Sequence, residues 1–108
     1  MFSRRQRLPR DEFEALLRHG VRKKSTHLLV WVYSRTDGAP SRVAVSVSKK
    51  VCKKATDRNR LKRQLRSLVQ KKHRDIPPES DMLISARGTC AIGDMDIELS
   101  ELLQSFSL

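Results

Sequence analysis

KKVCKKATDRNRLKRQLRSLVQKKHR, residues Lys49 to Arg74, carries twelve of the chain's 23 lysines and arginines and a single acid, Asp57. Outside it eleven basic residues face eleven acidic ones, so the formal net charge of +11 resides in 26 consecutive positions. From Asp57 onward Leu61, Leu65, Leu68 and Val69 recur at helical spacing and mark one face of a helix. At about 100° per residue these four fill a narrow arc, and Arg58, Asn59, Arg60, Lys62, Arg63 and Arg66 fan over the remainder. Thr56 or Asp57 suits the N-cap, and Asp57 also complements the helix dipole. Such a helix can bury its leucines against a sheet and still present a continuous cationic face. A solvated, salt-bridged helix would need acids at i,i+4 spacing, and this face has none. The stretch therefore reads as a polyanion-binding element.

On the N-terminal side, Ala44, Ser46 and Ser48 alternate with Val43, Val45 and Val47, predicting a strand from Arg42 to Ser48 with one small, polar face. Asp37, Gly38 and Pro40 mark a turn before it. His27 to Tyr33 alternates His27, Leu29, Trp31 and Tyr33 against Leu28, Val30 and Val32, a strand with two unlike faces. A short helix from Pro9 to His19 is predicted by Pro9 and the acids Asp11, Glu12 and Glu14 at its start and Gly20 after its end, with Phe13, Leu16 and Leu17 on one face. Residues 1 to 8, with Arg4, Arg5 and Arg7, carry no core pattern and read as a mobile basic arm. On the C-terminal side, Pro77 and Pro78 stop the helical pattern. Asp81 to Ala86 reads as a strand, Gly88 and Gly93 bracket a loop, and Asp94 caps a last helix with Met95, Leu99, Leu102, Leu103 and Phe106 along one stripe. The tail from Asp75 holds seven acids against Arg87, which keeps it off a polyanion. The order α-β-β-α-β-α predicts an α+β chain folded as a two-layer α/β sandwich, a single domain spanning residues 1 to 108.

Composition narrows the function. A sequence pI near 10.5 favours nucleic acid as partner. A membrane-surface helix would carry a wide apolar face with Trp or Phe opposite its charges, and this one offers Leu and Val. MFSRRQRLPR has charge without an apolar run, and Leu28 to Tyr33 is strand-sized, so neither a secretory nor a membrane-spanning segment is expected and the location expected is cytoplasmic. Cys52 and Cys90 lack paired-ligand spacing, so neither a disulfide framework nor a zinc site is expected. Cys52, among Lys49, Lys50, Lys53 and Lys54, has an electropositive setting that favours a thiolate but reads better as a small neutral spacer.

No catalytic residue is expected in the polypeptide. Asp94, Asp96 and Glu98 form the only acid cluster, and their spacing spreads them over different helix faces. His19, His27 and His73 have no partner spacing, and neither a phosphate loop nor a nucleophile elbow is present. No metal site and no protein-bound cofactor follow.

SVSKKVCKKATDRNRLKRQLR resembles the signature of the protein component of bacterial ribonuclease P: a strand ending in S-K-K, a short basic link, then A-x-x-R-N-R-x-K-R-x-x-R. Ala55, Arg58, Asn59, Arg60, Lys62, Arg63 and Arg66 match position by position, with weaker similarity at the basic N-terminus, at His19-Gly20 and at Asp81 to Arg87. The resemblance implies a left-handed crossover around the basic helix, where right-handed connections are the rule. It implies a protein that assists a catalytic RNA in removing the 5′ leader of precursor tRNA by phosphodiester hydrolysis, with divalent magnesium held chiefly by the RNA. By this resemblance Lys49, Lys50, Lys53, Lys54, Arg58, Asn59, Arg60, Lys62, Arg63 and Arg66 contact the catalytic RNA. Phe13, Leu17, Trp31 and Ser46 line a cleft for the leader, where Leu17 departs from the aromatic residue common at its position. From alternation alone Trp31 fits core and cleft equally. The alternatives are a ribosomal-protein-like RNA binder and a DNA-binding regulator, the latter disfavoured because the strands replace the helical scaffold or dimer seam such readers use. DNA and membranes are therefore not expected as partners, and a stand-alone nuclease lacks a site.

Overall fold

The computed structural model describes residues 7 to 35, 38 and 40 to 106. A 3-10 turn, Arg10–Glu12, leads into α1, Phe13–His19, then β1, Val21–Lys24, β2, Leu28–Ser34, and β3, Arg42–Ser46. The basic helix α2, Ala55–Lys71, follows, then β4, Ser80–Ala86, and α3, Met95–Phe106. The four strands form one sheet in the order β1-β2-β4-β3. β4 lies between β2, to which it is antiparallel, and β3, to which it is parallel, so α2 is the crossover joining two parallel neighbours. The α+β class and helix-on-sheet layering match the expectation from sequence. The additional strand is β1, whose VRKK has no apolar alternation and is strand only because it pairs with β2, Val21 opposite Val32 and Lys24 opposite Leu29.

Alternation gives the sheet two different faces. Leu28, Val30 and Val32 of β2, Met82, Ile84 and Ala86 of β4, and Val43 of β3 point to one side. They meet Leu61, Leu65 and Val69 of α2 and Met95, Leu99, Leu102 and Leu103 of α3 in one aliphatic core. Burying each of these Val, Leu, Ile and Met side chains contributes about 1.5–3 kcal/mol relative to exposure. The opposite face carries a much smaller cluster, Leu8, Leu16 and Leu83, with Phe13, Trp31, Tyr33 and Ala44 partly buried against it.

Several local expectations change in three dimensions. α2 begins at Ala55, with Lys54 at the N-cap rather than Thr56 or Asp57, and no side chain caps it. Instead Arg58 Nη1 donates to the carbonyls of Cys52 and Lys53, at 3.0 and 2.9 Å, fastening the link to the first turn. Cys52 and Cys90 are joined in a disulfide with Cα atoms 5.2 Å apart, contrary to the expectation of two separate thiols. Their 38-residue separation concealed this: the sheet order returns the chain after β4 to the link before α2. Cys52 is buried in the aliphatic core, not an electropositive thiolate. Arg7 and Leu8 are not part of a free arm: Arg7 bridges to Val43, and the Leu8 N–H donates to the Val43 carbonyl at 3.1 Å with its side chain buried. Arg4 and Arg5 lie outside the described residues, as does Asp37. Gly20 ends α1 in extended rather than left-handed backbone. Its requirement is space, since a Cβ there would lie 2.4 Å from the Leu16 carbonyl oxygen.

Candidate nucleic-acid interface

A floor of strands and two helical walls enclose a cleft of about 1160 Å³ on the less covered face of the sheet. β3 and β4 supply the floor, including Ala44, Ser46, Leu83 and Ser85. One wall is α1 with its lead-in, through Arg10, Phe13 and Leu17, and the other is α2, through Arg58, Lys62, Arg63 and Arg66. Helical spacing explains the second wall: 58, 62, 66 and 70, and beside them 63 and 67, recur at four-residue steps along one side, while 60 and 64 turn away from it. Trp31 also lines the cleft. It is half-buried against the Leu8, Leu16 and Leu83 cluster, so it is anchored by packing and still shows ring surface, and the choice between core and cleft resolves as both.

Electrostatics hold the α1 wall in place. Arg42 and Asp81, opposite each other on β3 and β4, form a two-pronged pair, Nε to Oδ1 and Nη2 to Oδ2, both 2.8 Å. The remaining Nη1 reaches both carboxylate oxygens of Glu12 at 3.0 Å, tying the lead-in of α1 to the sheet. The hydrogen bond with Asp81 is the main reason the Arg42 pKa is held above its ordinary value; burial opposes it and Glu12 adds to it. Arg35 Nε also lies 3.0 Å from Asp81 Oδ1. A neighbouring polar hollow of about 590 Å³ beyond α1 is lined by these same groups with Tyr33 and His19. Arg35, Arg42, Glu12 and Asp81 are matched there to one another, whereas the cations of α2 that wall the cleft form no ion pair with a described residue. Lys62, Arg63 and Arg66 remain available to an outside anion, while Arg58 is partly engaged by the Cys52 and Lys53 carbonyls.

A ribonuclease P family model matches residues 2–107. The chain belongs to the ribonuclease P protein family. It is 34% identical to the ribonuclease P protein component of a Cyanothece species, over 91% of this chain and 86% of the relative. To that of Lactobacillus delbrueckii subsp. bulgaricus it is 30% identical, over 91% and 81%. Among solved structures, the ribonuclease P protein of Thermotoga maritima superposes with a TM-score of 0.66 at 28% identity, covering 89% of this chain and 82% of that one. That of Staphylococcus aureus gives 0.72 at 21% identity, covering 94% of each chain, a likeness of fold. Membership in the ribonuclease P protein family places the chain in tRNA processing.

In this chain the four residues expected at the leader cleft, Phe13, Leu17, Trp31 and Ser46, all line one cavity, with Leu17 half exposed. The residues expected at the catalytic RNA divide. Lys49, Arg58, Lys62, Arg63 and Arg66 border the same cleft, while Lys50, Lys53, Lys54, Asn59 and Arg60 are exposed outside it. Ser67 and Gln70 join the α2 wall, legible in hindsight from their spacing to Arg63 and Arg66. Ser85 joins the floor only because β4 inserts between β2 and β3, for which the sequence holds no signal. Among the described residues no three of His, Cys, Asp and Glu are grouped to hold a metal ion, and no helix is long and apolar enough to cross a membrane.

Proposed function

We propose that this chain is the protein subunit of a ribonuclease P holoenzyme, binding the catalytic RNA and the 5′ leader of precursor tRNA during endonucleolytic formation of the mature 5′ end. The observation that carries this reading is the shared wall: α2 offers cations that form no ion pair with a described residue both into the cleft, Lys62, Arg63 and Arg66, and away from it, Arg60. Its outward row, with Lys50, Lys53 and Lys54 on the link, suits the phosphates of a folded RNA, because guanidinium and ammonium groups read backbone positions whatever the sequence. The cleft row suits the phosphates of an extended strand whose bases lie on Trp31 and Phe13, with small Ala44 and Ser46 leaving room on the floor. The catalyst is the RNA, which holds the magnesium ions. The protein's contribution is to position the leader and to lower the repulsion between two polyanions. The place of action is the cytoplasm.

Reconstitution tests this. The protein is mixed with a bacterial ribonuclease P RNA at low magnesium and cleavage of precursor tRNA is followed. The protein alone is expected to be inactive, and the mixture to cleave faster than the RNA alone, with a steep loss of binding as salt rises. Cleavage by protein free of RNA, or no effect on the RNA's reaction, would refute the proposal.

A further inference from the structure

Beyond the cleft, the open face of the sheet continues to the β1 edge, and it ends there in two cations. Antiparallel partners share a face, so Arg22, opposite Trp31, and Lys24, opposite Leu29, project on the side of the cleft floor. Following the register across the sheet gives two rungs. Arg22, Trp31, Leu83 and Ala44 form one, and Lys24, Leu29, Ser85 and Ser46 the other. Three spacings of about 4.8 Å make each rung roughly 14 Å from β3 to β1. Both cations are exposed, and neither forms an ion pair with a described residue.

Protection of a sheet edge against pairing is the ordinary use of lysines there, but it does not account for how VRKK is divided. Lys23, between them, points to the other face, where its Nζ donates to the Ser105 carbonyl at 2.8 Å and lies 4.8 Å from the Phe106 ring centroid. One cation of the three fastens α3, and the other two are left free on the open side. α1 does not bar the way, because it is tied at its front to Arg42 and leaves through Gly20 towards Val21 opposite Val32. It therefore covers the Tyr33 and Asp81 end of the face. The rung from Lys24 to Ser46 is the one farther from it, with Leu29, Ser85 and Ser46 all partly exposed.

We infer that Arg22 and Lys24 extend the leader track past Trp31 and hold phosphates of its distal part, the part farthest from the α2 wall. The inference rests on the leader-cleft reading above. Positioning charges at the far end of a stacking floor hold a flexible single strand without selecting its bases.

The test uses the reconstituted holoenzyme with Arg22→Gln and Lys24→Gln combined, and three RNAs: precursor with a leader of about ten nucleotides, within the span of single-strand sites, precursor with a one-nucleotide leader, and mature tRNA. Binding of the long-leader precursor is expected to weaken roughly three- to tenfold, and its salt slope to flatten by about 1.4, two contacts at about 0.7 each. The other two RNAs are expected to bind as they do to wild type, and Arg22→Lys with Lys24→Arg to restore the long-leader affinity. Wild-type affinity and slope for the long leader would overturn the inference, as would equal weakening for all three RNAs, which would assign the charges to the tRNA body or the catalytic RNA. Trp31→Ala run in parallel separates the two levels. If it weakens long-leader binding while the double variant does not, the cleft stands and its extension falls; if neither has an effect, both fall.

Discussion

The two faces of the sheet are built from alternate residues of the same strands and differ in what covers them. Under α2 and α3, Leu28, Val30, Met82 and Ile84 are fully buried in an aliphatic core. One residue along, Leu29, Trp31 and Ser85 are partly exposed, and only the short α1 lies over their side. The first face provides the stability, and the second is free to be a surface. Stability and binding should accordingly separate by strand parity, and adjacent positions can be used to break that rule.

Ile84→Ala and Ser85→Ala make the sharpest pair. The first removes fully buried volume and is expected to cost about 2–5 kcal/mol, while its neighbour should stay within about 0.5 kcal/mol of wild type, both read from denaturant unfolding. Comparable losses would abolish the distinction. Next comes the disulfide, which fastens the link before α2 to the loop before α3. For a closed loop of this length, Cys90→Ser is expected to cost about 3–4 kcal/mol. A dithiol reductant should lower the melting temperature of wild type and leave that of the variant unchanged.

On the open face the expected loss is in binding. Trp31→Ala should weaken binding of precursor tRNA by about 1–3 kcal/mol for one stacked base, with mature tRNA and the catalytic RNA bound as before. Because Trp31 also packs on Leu16 and Leu83, thermal melts must show the variant folded before its affinity is compared.

The smallest effect belongs to Glu98, which pins α3 to the start of β2. Burial pushes its carboxyl up, but hydrogen bonds from the Ser25 hydroxyl, the His27 N–H at 2.7 Å and the His27 ring at 2.6 Å outweigh it, leaving the pKa below its ordinary value. A carboxylate with a lowered folded pKa stabilises above its unfolded value, about 4.3, and that contribution is lost as pH falls through the folded one. Unfolding curves collected down through that range should show the loss. Glu98→Gln should show a flatter dependence; an unchanged one would remove Glu98 from the account.

Much of this chain was legible before folding, because periodicity and charge are local properties. The Leu61, Leu65 and Val69 stripe, the unlike faces of Leu28 to Tyr33 and the concentration of charge in Lys49 to Arg74 follow from side chains spaced along one element. The residues expected at the cleft could be named from a motif, but their meeting could not be read from spacing. Phe13, Trp31, Ser46 and Arg66 come from four elements, and they converge only because β4 inserts between β2 and β3 and α2 crosses over that edge. The same long-range pairing made VRKK a strand, brought Cys52 to Cys90 and drew Leu8 onto β3. Sequence alone determined which face of each element is apolar and where the cations stand. Tertiary structure decided which cations are matched, as Arg42 is by Asp81, and which are left facing a cleft, because ion pairing depends on distances that only the closed sheet sets.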